Sequence, residues 1–238
     1  MAGPKTLRAL SGLLCYPDEQ TIEAAELLYI ILQGELPEAA KSISEFGAFL
    51  DSHELWQVEE TFSATFDVNS ECALEIGWHL FGEEYARGMF LVRMREEMRR
   101  YGLEESVELP DHITHVLAVI AAMPEDKAKH FVTSCVLPAI KKMYVTMEGK
   151  DSPYRHVVTC LALILNHVWG EGGSLTDYSE ADHVDSNGAT SGVDLLHAFP
   201  VADVGMGCGS GGCGSGGCGS PEPENLVQLS SDSFKTKE

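Results

Sequence analysis

Apolar residues recur at steps of three and four through most of the first 170 positions, in runs separated by Pro, Gly and Ser/Asp. Because that spacing returns to the same side of an α-helix, each run reads as an amphipathic helix. Leu7 to Cys15 predicts a short helix stopped by Tyr16-Pro17. Glu19 to Gln33 predicts a second, ended by Gly34, and Pro37 opens a third that reaches about Ser52. Leu55 to Phe66 gives a fourth. Next, Leu74, Trp78, Phe81, Tyr85, Met89 and Val92 line up as one continuous stripe that closes at Tyr101-Gly102. Pro110 is expected as a first helical residue, with Asp111 at the positive end of the helix dipole and Ile113, Val116, Leu117 and Ile120 facing inward. Asp126 is expected to cap the following segment, which Pro138 kinks or divides. Ser152-Pro153 caps the last helix, where Val157, Leu161, Ile164, Leu165 and Val168 make an apolar surface broad enough for a central position. No alternating pattern of strand length occurs. The expectation is all-α: a single globular bundle of about eight to ten helices.

The pattern stops near Gly170. Residues 1–170 carry 26 acidic and 14 basic side chains, whereas residues 171–238 carry 11 and 2 and are rich in Gly, Ser and Asp. The second part has too few apolar positions to offset the entropy of ordering. It is expected to be a mostly disordered acidic tail (171–238) behind a helical domain (1–170).

Charge narrows the possible partners. With 37 acidic against 16 basic residues, the net charge is −21. Such a surface repels nucleic-acid phosphates and anionic membranes and attracts basic or amphipathic peptides. No run approaches the roughly 20 apolar residues of a transmembrane helix, and no small-residue cleavage site follows Leu10 to Cys15. A cytoplasmic location is expected. Seven cysteines, four of them scattered through helical segments, point to reduced buried thiols rather than a disulfide framework.

Catalytic signatures are missing: HExxH, GxxxxGK[ST] and GxSxG do not occur. A literal GxGxxG at Gly207, Gly209 and Gly212 lies in a glycine repeat, without the strand and helix that a dinucleotide site needs. The pairs Glu59-Glu60, Glu83-Glu84, Glu96-Glu97 and Glu104-Glu105 point about 100° apart on a helix and read as solvated faces. Glu96 and Arg100 have the order that favours a helix ion pair. His79, His112, His115, His130, His156 and His167 have no ligand spacing and read as structural or surface residues. Cys208, Cys213 and Cys218, in a Gly-Cys-Gly-Ser-Gly repeat, offer soft thiolates that suit a metal or an iron–sulfur cluster. Their x4 spacing, the lack of a fourth ligand and nine glycines between Gly205 and Gly219 favour a plain linker.

Three stretches carry a resemblance. Leu13-Leu14-Cys15-Tyr16-Pro17-Asp18-Glu19 is similar to an N-terminal LLxYPD segment. His79-Leu80-Phe81-Gly82-Glu83-Glu84-Tyr85-Ala86-Arg87-Gly88 is similar to an HLFGE…RG motif, and Glu108-Leu109-Pro110-Asp111-His112 to an ELPD segment. In this order and separation they resemble the nitrate reductase molybdenum-cofactor assembly chaperones, the NarJ family within the TorD-like group. The likeness covers roughly residues 5–170, and Phe66-Asp67 sits where that family has an aromatic before the central motif.

The resemblance implies a helical, cytoplasmic, non-enzymatic chaperone without a cofactor of its own. Its partner would be the apo catalytic (alpha) subunit of a molybdoenzyme, held by its N-terminal peptide until cofactor insertion. Neither nucleic acid nor direct membrane insertion is implied, and a monomer is expected. Carried over by position, Leu80, Phe81, Glu84, Arg87, Gly88, Leu109, Pro110 and Asp111 become the candidate peptide-binding residues or their supports. Arg87 is expected to pair with Asp111 or Glu84, and Gly88 to allow close approach of a backbone. Tyr85-Ala86 departs from the family's polar residues at that place, and the cysteine tail has no counterpart in it. The alternative reading of the chain is a metal or iron–sulfur carrier using Cys208, Cys213 and Cys218.

Overall fold

A computed structural model describes residues 3–170, and within them the architecture is all-helical. Helix α1 spans Pro4–Gly12, α2 Thr21–Leu32, α3 Pro37–Ser52 and α4 Leu55–Phe66. A 3₁₀ turn, Ser70–Cys72, leads to the short α5, Ile76–Phe81, and then to α6, Tyr85–Arg100. Helices α7 (Ile113–Ala122), α8 (Glu125–Phe131), α9 (Leu137–Met147) and α10 (Tyr154–Trp169) complete the described part.

Local chemistry sets several boundaries. Pro37 occupies the first turn of α3, where its missing N–H is no loss. Glu54 and Gln57 form a reciprocal capping box at the start of α4, the Glu54 N–H donating to Gln57 Oε1 at 2.9 Å. Between α8 and α9, Val132–Val136 form one π-helical turn, with the Leu137 N–H reaching the Val132 carbonyl. Pro138 sits just beyond it. Proline cannot donate to Ser134, and its ring would collide with that carbonyl in a regular helix. Widening the preceding turn relieves the clash, so the helix is adjusted rather than broken.

Helix α10 is central as expected. It packs against α3 and α9, and Val157, Leu161, Ile164 and Leu165 are buried. Tyr154, at its start, is fully buried among Phe46, Phe62 and Phe66, with ring centroids 5.0, 5.4 and 5.2 Å away.

Four expectations need correction. The stripe from Leu74 to Val92 is not one helix face. Gly82 has φ +57°, a left-handed conformation that suits glycine, and it divides α5 from α6. The phase restarts there: Tyr85 is 85% exposed and Val92 also faces out, while Phe90, Met94 and Met98 take the inner face. Pro110-Asp111 precede α7 rather than begin it, because His112 is the N-cap and its ring accepts from the Thr114 N–H. Finally, Pro124 rather than Asp126 stands at the N-cap of α8, and the Ser152 hydroxyl bonds Thr65 Oγ1 at 2.8 Å instead of capping α10.

Candidate functional site

The segment leading into α5 and the segment leading into α7 are tied by main-chain bonds. The Ile76 N–H donates to the Asp111 carbonyl at 2.9 Å, and the Ile113 N–H to the Leu74 carbonyl at 2.8 Å. This pairs Glu75 with His112 in a single antiparallel bridge. The segment just ahead of the His79–Gly88 motif is thereby held edge to edge with the Glu108–His112 motif.

Side chains extend the clamp. One nitrogen of His79, Nε2, lies 2.7 Å from the Ala73 carbonyl, and Lys142 on α9 donates to the His79 carbonyl at 3.2 Å. Burial lowers the affinity of His79 for a proton, partly offset by its bond to Ala73. His115 holds the 104–109 loop: its Nε2 accepts from the Ser106 N–H at 3.3 Å, so its Nδ1 carries the proton given to the Leu109 carbonyl at 2.9 Å. His112 is pushed down to about 4, chiefly by burial, with Glu75 opposing and His115 adding to the effect.

Beside this clamp lies a groove of about 940 Å³. One wall is aromatic. Tyr16 packs edge-on against Phe62 at 5.8 Å, Phe62 against Phe66 at 5.0 Å, and Trp78 faces the same space. Val68 and Val107 stand on its loops, 83% and 100% exposed. The polar lining is lopsided, with Asp67, Glu75, Glu104 and Glu108 against a lone guanidinium, Arg87. Cys15 also lines it, its thiol pushed up by desolvation and by Glu108 and Asp18. An apolar surface rimmed by carboxylates attracts an amphipathic basic segment.

Of the eight candidate residues, Arg87 alone is in the lining of this groove. Its guanidinium lies 5.5 Å from the Trp78 ring centroid and its Nε 3.4 Å from Asp111 Oδ2. Asp111 is fully buried behind Arg87. Burial raises its pKa and Arg87 lowers it, burial being the larger effect. Phe81 is buried against Phe90 at 5.5 Å, Leu80 packs on the core, and Pro110 is buried. Glu84 is the exposed N-cap of α6, and Leu109 is 45% exposed beside the lining residue Glu108.

Gly88 has nothing within 4 Å of where a Cβ would stand, so no described neighbour approaches it. The steric demand falls instead on Gly77, where a Cβ would lie 2.6 Å from Asp111 Oδ2 and 3.1 Å from Phe90. Sequence gave little warning of this. An internal helix glycine is a weak signal, whereas Val68 and Val107, apolar in loops, were visible hints.

One expected pairing shifts: Arg100 meets Glu97 at 2.8 Å rather than Glu96. Arg95, for which no partner was expected, grips Glu105 with bonds of 2.9 and 2.8 Å. The four cysteines among the described residues are free, Cys15 exposed and the other three buried. Among those residues no group of three or more His, Cys, Asp or Glu could hold a metal ion. No helix there is long and apolar enough to cross a membrane. Cys208, Cys213 and Cys218, and the acidic tail as a whole, lie outside the described residues.

The geometry thus brings the three motif segments to one groove. A family model, the nitrate reductase delta subunit, matches residues 33–158. The chain belongs to that family. It is similar to the probable nitrate reductase molybdenum cofactor assembly chaperone NarW of Escherichia coli K12, at 23% identity over 181 residues, covering 76% of this chain and 74% of the relative. Against NarJ of the same strain, named a nitrate reductase molybdenum cofactor assembly chaperone, identity is 25% over 161 residues, covering 66% and 68%. A probable NarJ of Bacillus subtilis 168 is 26% identical over 176 residues, covering 68% of this chain and 89% of its own. The family is one of chaperones for cofactor assembly, not of catalytic enzymes.

Proposed function

We propose that this chain binds the N-terminal peptide of an apo molybdoenzyme catalytic subunit, nitrate reductase or a related enzyme, and keeps it competent for cofactor insertion. The observation that carries this reading is the convergence of the three motif segments on the groove, with Tyr16, Trp78, Arg87 and Glu108 all in its lining. The client peptide would enter as an amphipathic helix, its apolar anchors against Tyr16, Phe62, Phe66 and Trp78. Its basic residues would meet Asp67, Glu75, Glu104 and Glu108, which speed capture more than they add affinity. In this reading the protein acts in the cytoplasm, as a monomer, and without turnover.

Calorimetry of the full chain with a synthetic peptide from the N-terminus of a nitrate reductase catalytic subunit tests it. Micromolar or tighter binding is expected, weakened when Trp78→Ala is introduced. No heat of binding with any candidate client peptide sinks the reading.

A further inference from the structure

The groove leaves apolar surface facing water, and the same chain carries an apolar segment beyond the last helix. Between Gly170 and Gly205 the densest apolar stretch is Val193-Asp194-Leu195-Leu196-His197-Ala198-Phe199-Pro200-Val201. Leu195 and Phe199 are four positions apart, and Leu196 and Phe199 three. These are the separations at which a helical ligand presents its anchors to a groove.

We propose that this segment is an intramolecular occupant of the groove, a weak competitor that an incoming client peptide must displace. The inference rests on the groove's reading as a peptide site.

Reach favours it. Tyr154, the first residue of α10, packs directly behind Phe62 and Phe66 of the groove wall. From there α10 runs 16 residues to Trp169, about 24 Å at the rise of an α-helix. Residues 171–192 then join Gly170 to Val193, with a Gly/Ser/Asp-rich sequence. A Gly/Ser-rich sequence of that length, taken as a random coil, has a root-mean-square span of about 26 Å. The tether therefore matches the distance it has to cover, the condition under which effective concentration is greatest, on the order of millimolar. Even an intrinsically poor ligand is then bound for an appreciable fraction of the time.

Charge sets the strength and the purpose of the contact. The segment has one Asp and one His and lacks Lys or Arg, and acidic residues flank it at Asp182, Asp185 and Asp203. It can offer apolar anchors but nothing to Asp67, Glu75, Glu104 or Glu108. A basic amphipathic client gains that attraction as well, and so displaces the segment. An apolar peptide without basic residues does not. Competition of this kind raises discrimination between clients without any new contact to the favoured one.

The test uses the full chain and a variant carrying Leu195→Ser, Leu196→Ser and Phe199→Ser. These replacements are neutral, so Coulomb attraction to a basic peptide is unchanged, and they fall beyond α10 in the sequence. Without any peptide, backbone amides of residues 66–78 and 104–109 are expected to exchange with deuterium faster in the variant. By calorimetry, the nitrate reductase N-terminal peptide is expected to bind the variant on the order of 3- to 10-fold more tightly. Identical exchange in the two proteins overturns the proposal. So does equal affinity where the peptide binds the parent. If the peptide binds neither protein but exchange differs, the client reading fails while the tail's occupancy stands.

Discussion

Arg87 Nε stands 3.4 Å from Asp111 Oδ2, which joins the α6 motif to the segment before α7 through one partly exposed cation and one fully buried carboxylate. The arrangement is asymmetric. Asp111 Oδ1 is buried without a hydrogen-bond partner, whereas the guanidinium lies over Trp78 at the groove. Arg87 thus neutralises a buried charge with one edge and shapes the groove wall with its face. Asp111, which does not reach the groove, acts by positioning Arg87.

Removing the two partners should have unequal effects. Arg87→Ala leaves Asp111 buried and uncompensated, and breaking such a pair from one side is strongly destabilising. A loss of about 3 kcal/mol is expected by urea denaturation. Asp111→Asn removes the buried charge itself and should cost markedly less at neutral pH. Because the Asp111 pKa is raised, its carboxyl favours folding while neutral and loses that contribution as pH rises above 3.8. The stability difference between Asp111→Asn and the parent should therefore move in favour of the variant across that rise. Equal losses in the two variants at neutral pH would refute the asymmetry.

Gly77→Ala should reverse an ordinary rule. In the interior of a helix this exchange usually stabilises by about 0.5–1 kcal/mol. Here the new methyl would lie 2.6 Å from Asp111 Oδ2 and 3.1 Å from Phe90, with little freedom for either to yield. Destabilisation of about 1–3 kcal/mol is expected in a denaturant titration. Gly88→Ala, in open space, serves as the control and should be neutral or stabilising.

Most helices were legible in the sequence because their apolar period is local. The bounds of α3 and α4 match the expected ones, and the central role of α10 followed from Val157, Leu161, Ile164 and Leu165. The Leu74–Val92 stripe misled because residues on both sides of Gly82 share the same step, and only the backbone angle of one glycine reveals the change of phase. At the site, the Arg87–Asp111 pair was legible from two polar residues in motif positions. The aromatic wall was not. Tyr16, Phe62 and Trp78 come from three separate segments, and nothing in their local spacing states that they meet.

Stability should fall in mild acid, with His112 contributing. Its folded pKa is about 4 against 6.5 in the unfolded chain, so between these values the unfolded state binds the extra proton. Folding is therefore weakened as pH drops from about 6.5 towards 4. His79, also shifted down by burial, adds to the same slope. His112→Asn keeps an acceptor for the Thr114 N–H at the start of α7 but does not titrate. Thermal melts at steps between pH 7 and pH 4 should show a smaller drop in Tm for this variant than for the parent. Parallel curves would remove His112 from the acid response.

Carboxylates at the groove should govern the speed of peptide capture. Glu104 and Glu108 line it from the exposed 104–109 loop, where side chains can change without disturbing the core. Charges in such positions act at long range on the encounter and are screened by salt within about 10 Å at 0.1 M. Converting both to Gln should slow association of a basic client peptide by about 3- to 10-fold at low ionic strength, with a smaller change in the dissociation rate. The gap between variant and parent should close as salt is raised. Stopped-flow fluorescence, with Trp78 in the groove as a reporter, measures both rates. If the association rate is unchanged at low salt, the acidic rim has no part in steering the peptide and the charge of this face serves only solubility.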